Sequence, residues 1–595
     1  MNRKERRAAQ NWAAGARDAG PSAAPSPQAT EIGRAGRRAK AEALYRQSLG
    51  LRPSDSHAPH RTVELLRRAL ALAPDFAEAH NELGGILLAQ GRPEEAAIHL
   101  ERALALTPEL YEAYGAVLAT FYALFPAIHE AVARAAQAWP RRLDAQTLLG
   151  PLGLGMIADN AFLRRLLESR TVCDVAFERF LSGLRPLLAA AANEDDAGGC
   201  KALPFVSALA AQCFLNEYVF AMTPDEADRA EPARQAVVAD IEAGRPVAPM
   251  RLAALASYGP LGALPAADRL AERDWPAPVA GLVARQIIEP RTEREIATSM
   301  PRLTPIADAT SAAVRQQYEE NPYPRWIEPA SQQPRETLRA CLRRSFPAAA
   351  LSPREGDCDM LVAGCGAGRH PVEVARKFSD VRILAVDLSL ASLAYAQRKT
   401  RELGLAQIDY AQADILELGS LDRRFDAIDA GGVLHHLADP FAGWGILWSL
   451  LREGGVMRVA LYSALARRDI AAARRFVVER GFAPTPDGIR RAREELLATP
   501  LRTVAWRHDF FSVSECRDLL FHVQEHGLTL PAIKQFLASI GARLIGFELP
   551  PGTRDAYRIR FPDDPAMIDL DRWRAFEQEQ PDTFAAMYQF WIVKD

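Results

Sequence analysis

A chain of 595 residues with 49% hydrophobic and 25% charged side chains has room for about three or four domains at roughly 150 residues each. Its 72 Lys and Arg against 75 Asp and Glu leave a formal charge of -3, which excludes a surface built throughout for nucleic acid. The least charged stretch, GAVLATFYALFPAI, is shorter than the ~20 apolar residues that cross a bilayer, and MNRKERRAAQ lacks the apolar centre of a secretory signal, so a cytoplasmic protein without a membrane segment is expected.

Seven cysteines (173, 200, 213, 341, 358, 365 and 516) form no CxxC pair, and the eleven histidines form no HExxH. Neither a disulfide framework nor a metal site is expected from such spacing.

Residues 1–40 carry nine basic and three acidic side chains and break into PSAAPSPQAT, too poor in apolar area to fold. A disordered basic arm is expected, serving either as a solubilising tail or as an electrostatic contact for RNA or an acidic partner. From residue 41, Pro74 and Pro108 stand 34 residues apart, with Leu83, Gly84, Leu87, Ala96, Leu100 and Ala103 between them. This is the period of a helix–turn–helix repeat whose small residues let two helices approach closely. A partial copy lies upstream (Leu66, Ala69, Pro74) and a degenerate one downstream to Pro140, so residues 41–140 resemble a short tetratricopeptide array.

Residues 141–309 show apolar positions at helical spacing and no sustained alternation, which predicts an all-helical middle domain. Asn216, Glu217 and Tyr218 fall in its most apolar helix and read as hydrogen-bonded core residues or as a functional contact. SAAVRQQYEENPYPRW then runs from a short helix into a turn that Pro322 and Pro324 enforce. Its Tyr318, Tyr323 and Trp326 are either a boundary staple or aromatic rings for a cationic or flat ligand.

DMLVAGCGAGRHPVEVARKF reads as a buried strand, a glycine turn and a helix, the opening of a doubly wound sheet. Gly364, Gly366 and Gly368 allow tight turning at a helix amino terminus. Arg369 stands where a dinucleotide fingerprint has Gly or Ala, which disfavours a nicotinamide dinucleotide. RILAVDLS ends at Asp387, suited to accept from two ribose hydroxyls, and IDYAQADI at Asp414, suited to an adenine amino group with Ile415 against the ring. RFDAIDAGGVLHHLADP carries Gly431 and Gly432 and delivers His435 and His436 to the rim.

GCGAG, AVD, AD and FDAIDAGGVLHHLADP, in this order, resemble the motifs of class I S-adenosylmethionine-dependent methyltransferases, and with the upstream repeats the chain is similar to bacterial tetratricopeptide-repeat methyltransferases. The resemblance implies an α/β, Rossmann-like domain over residues 310–595, with a seven-strand sheet closed by an antiparallel hairpin of ARLIGFEL and MYQFWIVK. It places Gly364, Cys365, Gly366, Gly368, Asp387, Leu388, Asp414, Ile415, Gly431 and Gly432 around S-adenosylmethionine. Cys365 reads as a small buried residue rather than a nucleophile. His435 and His436 are candidate general bases, or alternatively structural residues ahead of an Asp439 cap.

An insertion at 464–530, longer than a crossover needs, is expected to form a lid. Its Trp506, His508 and Phe510, with Tyr318, Tyr323 and Trp326, are the candidate acceptor-binding residues; His522 and His526 read as a solvated helix face. Two readings of function stay open, a methyltransferase acting on an O, N or C acceptor whose repeats recruit a protein partner, and an inactive scaffold that binds adenosyl ligands.

Overall fold

The computed structural model describes residues 27–49, 58–106, 114–150, 153–194, 201–322, 325–327, 335–349, 351 and 356–595. They fall into two compact units, residues 1–110 and residues 111–595.

In the first unit, the helices Ala77–Ala89 and Pro93–Leu106 form the expected repeat and bury Leu83, Leu87, Ala96, Leu100 and Ala103. Gly84 is small for a steric reason: a Cβ there would stand 2.5 Å from Leu100 Cγ and 3.2 Å from the Ala96 carbonyl. The helix Ala58–Leu72 buries Leu66 and Ala69, as the upstream half-copy requires. The helix Pro27–Leu49 begins inside the segment expected to be disordered. Alanine and long straight side chains dominate EIGRAGRRAKAEALYRQSL, and their helix propensity outweighs its lack of apolar residues. The rest of the expected arm, residues 1–26, lies outside the described residues.

The second unit opens with the helices Tyr114–Leu124 and Pro126–Ala138, which the repeat pattern assigned to the array. Phe121 packs on Phe162 and Phe177 at ring separations of 5.6 and 5.9 Å, so these helices join the following helical region instead. Aromatic packing across forty residues overrides a weak repeat signature. The helix Leu203–Leu215 stops before the polar triplet that seemed to lie inside it. Asn216 caps it, and Glu217 and Tyr218 take left-handed φ values of 55° and 61°. Glu217 accepts the Ser514 backbone N–H, and Arg490 donates to the Tyr218 carbonyl, so the bend holds the insertion. A second tie is Arg493, which donates from Nη2 and Nη1 to the buried Glu178 carboxylate at 2.6 and 3.1 Å.

Seven strands follow among the described residues: β1 (Cys358–Ala363), β2 (Val381–Asp387), β3 (Ile408–Gln412), β4 (Phe425–Gly431), β5 (Leu451–Leu461), β6 (Ala542–Phe547) and β7 (Tyr588–Lys594). They lie in the order β3-β2-β1-β4-β5-β7-β6. β1 to β5 pair in parallel and β7 runs antiparallel to both β5 and β6, which is the expected closing hairpin. The strand order reverses direction beside β1, so a crevice opens at the carboxyl ends of β1 and β4, where open α/β sheets take ligands. An isolated bridge ties residues upstream of 310 to the edge of the sheet. Leu303 N–H donates to the Gln412 carbonyl at 2.9 Å, and Gln412 N–H to that of Pro301 at 2.7 Å, beside the end of β3. Between β5 and β6 the insertion folds as the helices Arg468–Glu479, Pro486–Leu497 and Val513–Phe521 with two short 3-10 turns.

Candidate functional site

A cavity of about 300 Å³ fills that crevice. Gly364, Gly366 and Gly368, in the turn after β1, have φ values of 71°, 53° and 81°, in the left-handed region that glycine adopts at no steric cost. A Cβ at Gly364 would meet Val433 Cγ2 at 2.3 Å, and one at Gly368 would meet Ala396 Cβ at 2.4 Å. Cys365, Gly364 and Gly366 line the cavity, whereas Gly368 sits behind it and starts the helix Arg369–Lys377. Cys365 is buried, and burial pushes its thiol well above the ordinary value, consistent with a packing role.

Asp387 closes the turn. Its Oδ2 accepts the Gly366 N–H at 2.8 Å and its Oδ1 the Ser389 N–H at 2.9 Å. Burial raises the Asp387 pKa, and the backbone N–H groups of Ser389 and Gly366 oppose that rise by solvating the carboxylate. Asp414, just beyond β3 and capping the 3-10 turn Ile415–Ser420, is fully buried; Oδ1 accepts the Leu416 N–H at 3.0 Å while Oδ2 has no partner. An unpaired buried carboxylate oxygen is costly, so it marks a position reserved for a donor. Leu388, Ile415, Gly431 and Gly432 complete this wall. The residues therefore fit an adenosyl group, with a cradle that any Cβ would fill and an orphaned acceptor at its far end.

The helix after the glycine turn adds Arg369 and His370, which sequence reasoning passed over as cofactor neighbours. His370 Nε2 stands 2.7 Å from Oδ2 of the buried Asp429, which Arg458 also approaches at 3.4 Å. Burial alone would lower the His370 pKa, but the Asp429 carboxylate more than offsets it and raises the net value. Burial likewise pulls Asp429 upward, and His370 with Arg458 bring it down to about 2.

The other end of the cavity is lined by Tyr318, His436, Tyr462 and Asp518. His436 Nδ1 lies 2.9 Å from the Gln524 carbonyl, which can only accept, so Nδ1 carries the proton and Nε2 of the neutral ring keeps its lone pair. His522 stacks on His436 at 3.8 Å and has the opposite tautomer, because its Nδ1 accepts the Gln524 N–H at 3.0 Å. Its Nε2–H then faces the Tyr318 hydroxyl at 3.2 Å, and that hydroxyl donates to Asp518 Oδ1 at 2.7 Å. Burial and the neighbouring His436 bring the His522 pKa to about 2, and burial raises that of Asp518. His436, His522 and Asp518 lie close enough together to suggest a metal site. The protonated Nε2 of His522 makes the group a hydrogen-bond network instead.

The other candidates do not gather here. His435 is fully buried on the Tyr462 ring, 3.9 Å away, with neither ring nitrogen paired, and burial drives its pKa far down. It is a core residue, and Asp439 caps the next helix through the Phe441 and Ala442 N–H groups. Trp326 donates to the Ala367 carbonyl from behind the glycine turn and lines a separate cavity of about 660 Å³. Trp506 is 85% exposed, Phe510 is buried under Arg493, and His508 pairs with Glu515 away from the cavity. Tyr323 lies outside the described residues. Of the six acceptor-binding candidates, Tyr318 alone is among the described lining residues. Asp518 and Tyr462 carried no local signal, because helix packing and not spacing brings them to the pocket.

Residues 360–455 match the methyltransferase domain family, and residues 77–110 match the tetratricopeptide repeat. An uncharacterized protein of Synechococcus sp. is 27% identical over 252 residues, 39% of this chain and 59% of that one. Trans-aconitate 2-methyltransferase of Deinococcus radiodurans is 32% identical over 119 residues, 20% of this chain and 43% of that one. The chain thus spans about half the length of these relatives. PKMT2 of Rickettsia typhi, solved with AdoHcy, aligns at 15% identity with a TM-score of 0.34, covering 42% of this chain and 52% of that one. The chain carries a class I S-adenosylmethionine-dependent methyltransferase domain and a tetratricopeptide repeat. No helix among the described residues is long and apolar enough to cross a membrane.

Proposed function

We propose that the whole chain is an S-adenosylmethionine-dependent methyltransferase acting on an O–H or N–H acceptor, with the repeats recruiting a protein partner or substrate. The observation that carries the cofactor reading is the unpaired, fully buried Asp414 Oδ2 in one cavity with Asp387 and the glycine turn. Asp387 would take the ribose hydroxyls, Asp414 the adenine amino group, Ile415 the ring face, and Arg369 with His370 the methionine carboxylate. S-adenosylmethionine supplies an electrophilic methyl on a sulfonium when bound.

The chain's own task is to align the acceptor and take its proton. His436 suits the second role, since the Gln524 carbonyl fixes its tautomer and leaves Nε2 as a lone pair at the cavity wall. Asp518, held by Tyr318, offers an acceptor beside it that would orient a proton-bearing nucleophile. The two tests are calorimetric titration with S-adenosylhomocysteine against NAD, and transfer of labelled methyl from S-adenosylmethionine into fractionated cell extract. The expected outcome is binding of the first ligand alone, and labelling that His436→Ala abolishes while its S-adenosylhomocysteine affinity is kept. Binding without any labelling in any fraction would return the chain to the scaffold reading.

A further inference from the structure

The cavity of about 660 Å³ that Trp326 lines is walled by the helical region and the sheet domain together: the end of the helix Leu203–Leu215, the 3-10 turn Leu261–Ala263, the π-helical turn Ala284–Ile288 and the helix Leu390–Glu402. Its volume falls within the roughly 300–1,000 Å³ of small-molecule sites. The aromatic part of the wall is fixed in place. The Trp326 indole N–H donates to the Ala367 carbonyl at 2.8 Å, the Tyr395 hydroxyl donates to the Trp326 carbonyl, and Lys399 donates to the Ile327 carbonyl at 2.6 Å.

Three features of this cavity point to a ligand. Gln286 is 2% exposed, and its Oε1 accepts the Leu261 N–H at 2.9 Å. That bond fixes which end of the amide is oxygen, so the NH2 group is a buried donor with no acceptor among the described residues. The backbone around it is strained. Glu217, Tyr218 and Ala266, three of the four described non-glycine residues in the left-handed region, line the cavity, and Gln286 itself stands in a π turn, a geometry that concentrates at functional sites. Positive charge is left over as well. Glu289 and Glu293 both pair with Arg398 at 2.9 Å, Asp268 faces Arg291 at 3.9 Å and Glu217 faces Arg325 at 3.8 Å, so every lining carboxylate has a cation. Arg285 and Arg294 also line the cavity and pair with no carboxylate within 4.0 Å among the described residues.

We propose that this cavity is a second ligand site and takes a small organic anion, its acid group toward the Gln286 amide and the unpaired arginines, its apolar body on Phe214, Trp326 and Tyr395. A donor that has lost water and found no acceptor in the chain is matched by an acceptor from outside it. Two unpaired guanidinium groups favour a charged one, because hydrogen bonds between ionised groups are the stronger kind. The remaining wall is apolar, with Leu264, Ala267 and Ile287 buried beside the rings, so the anion carries a hydrophobic body and is not a free phosphate or sulfate. The site shares no lining residue with the cofactor cavity, so its ligand is independent of the cofactor assignment.

Two dyes that share one body test this on the full chain. 1-Anilinonaphthalene-8-sulfonate carries a sulfonate on a planar apolar body, and N-phenyl-1-naphthylamine is the same body without it; each is titrated by fluorescence, with and without excess S-adenosylhomocysteine. The expected result is one saturable equivalent of the sulfonate that S-adenosylhomocysteine leaves bound, with the neutral dye at least about tenfold weaker, as loss of a charge-assisted hydrogen bond implies. Gln286→Glu keeps an oxygen for the Leu261 N–H but replaces the donor by an acid, and Ala263→Trp crowds the cavity from an exposed position; each should weaken the sulfonate by about tenfold or more. No saturable binding, or displacement of the dye by S-adenosylhomocysteine, overturns the site. Equal affinity for the two dyes overturns the anion. Affinity that both variants leave unchanged overturns the location. Should Gln286→Glu fail to fold, Ala263→Trp and the pair of dyes on the unmodified chain decide.

Discussion

Replacing Asp387 by alanine should weaken both the cofactor complex and the free protein. Each carboxylate oxygen already accepts one backbone N–H, from Gly366 at 2.8 Å and Ser389 at 2.9 Å. A carboxylate oxygen has two acceptor positions, so each keeps one for a ribose hydroxyl. Losing one hydrogen bond to a charged acceptor costs about 1.5–3 kcal/mol, so the affinity loss is at least roughly tenfold to a hundredfold for one hydroxyl and greater if both bonds are lost. In the free protein the Gly366 and Ser389 N–H groups lose their partner, at a cost of about 1–3 kcal/mol for each that water cannot reach. Asp387→Asn keeps one acceptor oxygen but turns a donor toward one of those N–H groups, so it should fall between wild type and alanine in both measurements. Calorimetric titration with S-adenosylhomocysteine reads the first effect and denaturant unfolding of the free protein the second. An unchanged dissociation constant in Asp387→Ala would refute the ribose role. A weakened one with unchanged stability of the free protein would refute the claim that this carboxylate also organises the glycine turn.

Asp414→Asn can satisfy either the Leu416 N–H or an adenine amino group with its one oxygen, and should weaken S-adenosylhomocysteine by about tenfold, as one charged hydrogen bond is worth; calorimetry reads it, and equal affinity would remove Asp414 from the adenine site. The His370 pKa is raised by Asp429, so the stability it adds is full below about 6.5, the ordinary histidine value, and is lost as pH rises through the higher folded-state value. The melting-temperature difference between wild type and Asp429→Asn should therefore shrink as pH rises past that value, and a difference that grows with pH is the opposite sign. Because every lining residue of the cavity lies in the unit of residues 111–595, deleting residues 1–110 should leave S-adenosylhomocysteine affinity within error while removing partner capture, and lost affinity in a fragment that circular dichroism shows to be folded would break that modularity.

The legible part of this fold is the part whose constraints are local. Gly364, Gly366 and Gly368 take left-handed φ, with Val433 against the first and Ala396 against the last, and Asp387 ends β2 while Asp414 follows β3, so backbone geometry writes them into the chain at fixed intervals. The single good repeat was equally plain because Gly84 faces Leu100 and Ala96 within one helical hairpin. Boundaries were less plain. The array ends early since Phe121 finds Phe162 and Phe177, and contacts with the sheet begin before residue 310 since Pro301 and Leu303 bond to Gln412; both partners lie outside any periodic window.

The end of the cavity lined by Tyr318, His436, Tyr462 and Asp518 was illegible for a related reason, and it follows from how the fold divides its labour. His436 comes from the turn after β4 and Tyr462 from the end of β5, while Asp518 and His522 come from the insertion and Tyr318 from the helix Ala309–Glu320. Their adjacency is a product of helix packing, and the buried Arg493–Glu178 pair and the Glu217 bend are what hold the insertion in that position. Removing one partner of such a buried pair leaves an uncompensated charge and costs about 3–5 kcal/mol, so this wall of the cavity is anchored through residues that do not line it. Aromatic content in the insertion pointed instead to Trp506 and Phe510, one of which is solvated while the other fills the satellite core. An exposed ring and a buried ring look alike in sequence. What separates them from Asp518 is the direction in which the helix Val513–Phe521 faces, set by contacts some three hundred residues away in the helical region.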